Sequence, residues 1–251
     1  YGTNGFFILK DSNSVTDQSG QGNDWTVSVG TLTNTKDNPS NNFSTLNYLN
    51  MPTSNLPTFI NGNTTATSSS SGSGKFGGSS SLGMTSGKFY VEAQAEIPGT
   101  YSRSVWGLSG AVSLIARNNN SFLSDTDNTI GWYSSDGTVN YNNSQQYVAS
   151  TYTANDVLMM AVDMDNLKVY FGKNGVWQNS GVPTSGSTGT GAISIAAVSS
   201  CHDGAYFFGF SDDTGTDSTA QFKYNFGNGY FGTDAVTTNS GNGYQDADGN
   251  G

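Results

Sequence analysis

The sequence predicts an all-β chain, a sandwich or a barrel, and three observations lead there. Short runs rich in Tyr, Phe, Thr and Val recur along all 251 residues, punctuated by Gly, Asn, Asp and Ser. No segment carries a helical period, and strong helix formers are scarce. Hydrophobic residues make up 34% before the 33 glycines are counted. With glycine the total reaches the range of about 45–50% usual for globular chains, so the chain has the material for a core.

The elements follow in order. Phe6 to Leu9 is the first apolar run, and Asp17 to Trp25 (DQSGQGNDW) is a tight glycine-rich loop ending in an aromatic. Gly20 and Gly22 are turn glycines there, since no Gly-Lys-Ser/Thr follows to make a phosphate loop. Thr26 to Thr35 alternates as a hairpin should, and Phe43 to Leu49 follows a loop at Asn38-Pro39-Ser40. Thr64 to Ser81 is almost all Ser, Thr and Gly, which reads as an exposed loop or linker, or else as a spacer between strands on both sides. Lys88 to Ala95 alternates, with Phe89, Val91, Ala93 and Ala95 on one face and Tyr90, Glu92 and Gln94 on the other. Asp156–Asp163 and Leu167–Gly172 form a hairpin, and Asn174-Gly175 is the pair a type I′ turn prefers. Ala192–Ser199, Ala205–Phe210 and Ala220–Phe226 complete the strands. The expected organisation is a β segment over 1–63 packing on or preceding the sandwich, a Ser/Gly-rich loop over 64–81, a core over 82–226 and a Gly-rich segment over 227–251. The chain starts at Tyr1 without a methionine, and a fragment or a processed chain is expected.

Charge excludes several classes of partner. The net charge is −10 and charged residues make up only 11%, so nucleic acid and anionic membrane surfaces are disfavoured. No apolar run is long enough to span a bilayer. The single cysteine, Cys201, cannot form an internal disulfide, and the single histidine, His202, sits beside it. Neighbours on a strand point to opposite faces, so the two make a poor catalytic dyad, and zinc lacks ligands. Asp163 and Asp165 are expected to cap a turn rather than to hydrolyse a glycan. Asp212, Asp213 and Asp217 cluster in a glycine-rich stretch and are the candidate Ca²⁺ ligands, set against a plain solvated loop. No other cofactor is expected.

Three segments resemble the SPRY (B30.2-like) domain: Ser86–Gln94, Ile130–Asn142 and Asn155–Gly175, with Val105 to Leu108 matching the family's intervening core strand. The resemblance implies a two-sheet antiparallel β-sandwich of the concanavalin-like jelly-roll kind. Tyr1–Phe7, Asp17–Thr26, Asp37–Asn47 and Asn225–Val236 are also similar to SPRY-like proteins of marine tailed bacteriophages. That similarity implies a non-enzymatic module at the virion surface, assembled in the bacterial cytoplasm. It would be part of a fibre that recognises a host-surface glycan or protein, or alternatively a capsid decoration or fibre-shaft protein. Sugar recognition favours aromatic rings beside amides and carboxylates. The candidate ligand-binding residues are Tyr101, Arg103, Asn118, Asn119, Tyr133, Asp136, Tyr141 and Asn142. Trp25, Trp106 and Trp132 are expected in the core, while Tyr133 and Tyr141 stay open between core and contact. Few lysines guard the sheet edges, so an assembly with other virion subunits is expected, a homo-oligomer such as a trimer.

Overall fold

The computed structural model describes residues 1–9, 14–30, 42–50, 56–67, 76–96, 104–111, 123–212 and 220–236. Two antiparallel sheets face each other. The eight-stranded sheet runs β1 (Thr58–Ile60), β2 (Thr65–Thr67), β14 (Gln221–Asn225), β4 (Lys88–Glu96), β9 (Val157–Asp163) and β10 (Lys168–Lys173). The short strands β11 (Val176–Trp177) and β12 (Ile193–Ser194) share the far edge of β10. The six-stranded sheet runs β3 (Phe76–Ser79), β13 (Phe207–Asp212), β5 (Val105–Ser109), β6 (Thr129–Tyr133), β7 (Thr138–Tyr141) and β8 (Ser144–Val148). A small hairpin, β15 (Tyr230–Phe231) and β16 (Asp234–Ala235), follows β14.

Period-two alternation aims one face of each sheet at the other. Val91, Ala93 and Ala95 of β4 are buried with Leu158, Met160 and Val162 of β9, while Phe89, at the strand's start, is partly exposed. From the opposite sheet come Trp106, Leu108, Ile130 and Trp132. Phe171 of β10 joins the layers, its ring 6.0 Å from Trp106 and 5.8 Å from Trp132, both edge-on. Asn174 and Gly175 have φ of 49° and 82°, the two left-handed residues a type I′ turn requires.

The outer face of the six-stranded sheet is also covered, and glycine makes that possible. Gly209, Gly107 and Gly131 lie in register across β13, β5 and β6. Leu123 and Ser124 cross over this bare strip. Leu123 donates its N–H to Ser211 Oγ at 3.0 Å, and a Cβ on Gly131 would meet the Leu123 carbonyl at 2.7 Å. On the eight-stranded sheet, Met159, Tyr170 and Trp177 are buried on the outer face. The 178–192 segment reaches Tyr170 there, whose hydroxyl lies 3.1 Å from Ser185 Oγ.

The Ser/Gly-rich stretch is not a loop throughout. Thr65–Thr67 belongs to one sheet and Phe76–Ser79 to the other, while residues 68–75 lie outside the described residues. Its small residues answer close packing: a Cβ on Gly77 would meet the Phe210 carbonyl at 2.6 Å, and one on Gly78 the Phe210 ring at 2.9 Å. Strands β1, β2 and β3 therefore precede residue 82, where the sandwich core was expected to begin. Leu46 is 1% exposed, so a residue from the N-terminal segment also fills the core. Phe6–Leu9 and Thr26–Gly30 hold no strand, and the rest of the hairpin expected to Thr35 lies outside the described residues.

Candidate functional site

Tyr101, Arg103, Asn118 and Asn119 lie outside the described residues. The other four candidates divide between the two ends of the β6–β7 hairpin. Tyr133 ends β6 on the outer face, half-buried against Val105 and Leu123, its hydroxyl 3.0 Å from Ser124 Oγ. Asp136 sits in the adjoining turn, where its Oδ1 accepts the Thr138 N–H at 2.9 Å. At the far end, the Tyr141 hydroxyl accepts the Ala196 N–H at 2.9 Å and donates to Asn128 Oδ1 at 3.3 Å. Asn142, at φ 51°, accepts the Asn128 N–H through Oδ1 at 2.6 Å. Tyr141 thus serves as a latch between a loop and the six-stranded sheet, and Tyr206 completes it by donating to the Ala196 carbonyl at 3.0 Å. The geometry does not bring these four side chains to one platform.

Of the acidic candidates, Asp212 is not a solvated loop residue. Asp212 closes β13, fully buried, and its Oδ1 accepts from Ser104 Oγ at 2.9 Å. Asp213 and Asp217 lie outside the described residues. Among the described residues no group of three His, Cys, Asp or Glu could hold a metal. Tyr152 lies in the same interior, 2.8 Å from the Ser104 carbonyl and 2.9 Å from that of Trp132. Burial pushes its hydroxyl well above the usual tyrosine range, and Asp212 beside it adds to the effect.

Other carboxylates are engaged in holding turns. Asp163 accepts from Lys88 Nζ at 2.7 Å and from Asn166 Nδ2 at 2.8 Å. Burial alone would raise its carboxyl, but these hydrogen bonds outweigh it and hold the group at about 2. Asp165 Oδ1 accepts the Gly87 N–H at 2.7 Å. Asp156 accepts from Asn174 Nδ2 at 2.6 Å and from the Thr153 N–H at 2.9 Å. Glu92, on the outer face of β4, is raised by burial, although Tyr90 and Asn225 hydrogen-bond to it. Cys201 is buried while His202 is exposed beside Asp203, 3.1 Å away, and the two sit in a turn rather than on the strand that was expected there.

One aromatic departs from expectation. Trp106 and Trp132 are fully buried, but Trp25 is 52% exposed. It follows the Asp17 loop, and this loop is built around one carboxylate. Asp17 accepts the N–H groups of Phe7 at 2.8 Å, Ser19 at 2.8 Å and Asn23 at 3.0 Å. Burial would raise that carboxyl, yet the backbone donors hold it far below the usual range. Phe6 leans on Trp25, ring centroids 4.8 Å apart. Large apolar side chains need not be inside, since much of a folded protein's surface is apolar.

Similarity to solved structures fits this architecture. The SPRY domain of human HERC1 superposes with a TM-score of 0.50 at 17% identity, covering 71% of this chain and 96% of that domain. The fold is SPRY-like. A second human SPRY domain gives a TM-score of 0.48 at 12% identity, over 66% of this chain and 93% of its own. No protein-family model matches the sequence, and no curated protein matches it. No helix among the described residues is long and apolar enough to cross a membrane.

The SPRY-like sandwich leaves edges as well as loops. Strand β8, Ser-Gln-Gln-Tyr-Val, is five residues long and carries no charge or proline, and Val148 is 60% exposed. Among the described residues the other edges, β1, β3, β11 and β12, are shorter. An uncharged edge of this length invites a further strand.

Proposed function

We propose that the chain is a non-enzymatic module of a bacteriophage particle, part of a fibre that binds a host-surface glycan or protein. The observation that carries this reading is the exposure of Trp25 and Phe6 on a loop fixed by Asp17. The carboxylates Asp156, Asp163 and Asp165 are meanwhile engaged with turns. Recognition by a loop on a rigid sandwich needs no more machinery than that. The viral setting rests on the similarity of Tyr1–Phe7, Asp17–Thr26, Asp37–Asn47 and Asn225–Val236 to phage SPRY-like proteins.

A second reading, a capsid decoration or fibre-shaft protein, is favoured by the β8 edge, which suits pairing with other virion subunits or with copies of itself in a homo-oligomer. Electron microscopy of intact particles labelled with an antibody against residues 82–226 separates the two. Label at fibre tips is the expected result. A regular pattern over the capsid would favour decoration, and unlabelled particles would remove the viral assignment.

A further inference from the structure

The aromatic pair on the Asp17 loop has the properties of a stacking site, and we infer that Trp25 and Phe6 form a platform for a neutral saccharide. The inference rests on the surface-recognition reading above and names the chemistry of its ligand. Trp25 is 52% and Phe6 43% exposed, whereas the other three tryptophans are at most 9% exposed. The rings meet at 54°, so each braces the other while ring surface stays open to solvent.

The platform is already in place before a ligand arrives. On the Phe6 side, Gly5 accepts Asn23 Nδ2 at 2.8 Å, and Phe7 both donates to Asp17 at 2.8 Å and accepts the Gln18 N–H at 2.8 Å. On the Trp25 side, its own N–H donates to the Val15 carbonyl at 3.0 Å. Rings fixed from both directions lose little freedom on binding.

The surroundings select the ligand class. Asp17 is turned inward to backbone N–H groups, and Asp24 Oδ1 accepts the Asp17 N–H at 2.7 Å. The exposed side chains close to the rings in sequence include the amides and hydroxyls of Asn4, Gln21 and Thr26 and, beside Trp25, the carboxylate of Asp24. Rings that stack on C–H faces beside amides, hydroxyls and a hydrogen-bond-accepting carboxylate match a hexose or an N-acetylhexosamine. A polyanion is disfavoured by the chain's net charge of −10.

The test uses the whole chain and the fluorescence of its tryptophans. Neutral hexose and N-acetylhexosamine oligosaccharides are titrated while emission and acrylamide quenching are followed. At least one should shift the emission to the blue and protect Trp25 from acrylamide. Trp25→Ala should weaken that binding about tenfold with the melting temperature unchanged. Binding that survives Trp25→Ala, or no response to any of these sugars, would overturn the inference. Particles carrying Trp25→Ala separate it from the broader reading. If they adsorb to host cells as the wild type does, recognition stands and this site falls. If they lose adsorption although no sugar binds the chain, the partner is a protein and the saccharide assignment falls.

Discussion

Trp106 and Trp25 are the same residue type put to opposite uses. Trp106 stands on β5 with no exposed surface, edge-on to Phe171 across the sandwich. Trp25 stands half in solvent, with no strand around it, where a carboxylate and backbone hydrogen bonds hold the chain. The first position is set by apolar burial and the second by polar local geometry. The two should therefore respond to different perturbations.

The largest difference lies in stability. Trp106→Ala should cost about 3–5 kcal/mol in denaturant unfolding, while Trp25→Ala should leave the midpoint where it was. Equal losses would mean that Trp25 is packed in solution. The glycine strip gives the next effect. Gly131→Ala places a methyl against Val105 and the Leu123 carbonyl, and should destabilise by about 1–3 kcal/mol. A neutral result would detach Leu123 from the sheet.

Two carboxylates give smaller effects of opposite sign with pH. Asp163 has a folded value of about 2, below its unfolded value, so its contribution is full above the unfolded value and fades as pH falls through about 2. Melting curves of wild type and Asp163→Asn should thus converge as the solution is acidified. Glu92 is raised on folding, so its contribution is present in acid and lost as pH rises through its folded value. Glu92→Gln should raise the melting temperature near neutrality, and the gain should vanish in acid. Asp17→Ala, like Trp25→Ala, is expected to have little effect on global stability. It should leave the cooperative transition nearly in place while lowering the fluorescence anisotropy of Trp25, because it releases only the loop.

These contrasts also explain what the sequence made legible. Strand alternation over Lys88–Ala95 and the Asn174-Gly175 turn carry their structure locally, and both appear as expected. Phe76–Ser79 looks like linker because Gly77 and Gly78 answer Phe210, a partner distant in sequence, and Thr65–Thr67 because its partner Gln221–Lys223 is distant as well. Trp25 looked like core because hydrophobicity alone does not say what lies opposite a ring. A better signal was Asp17, followed at short intervals by Ser19 and Asn23, whose backbone N–H groups it gathers. Tyr133 and Tyr141 are close in sequence, but a hairpin strand length keeps them apart, which composition cannot reveal.

Acrylamide quenching of the wild type beside Trp25→Phe tests the division between core and surface rings most directly. The account predicts one readily quenched tryptophan component in the wild type that disappears in Trp25→Phe, leaving emission from buried indoles. Quenching that is the same in both proteins would contradict it, since Trp25 would then be as buried as Trp106.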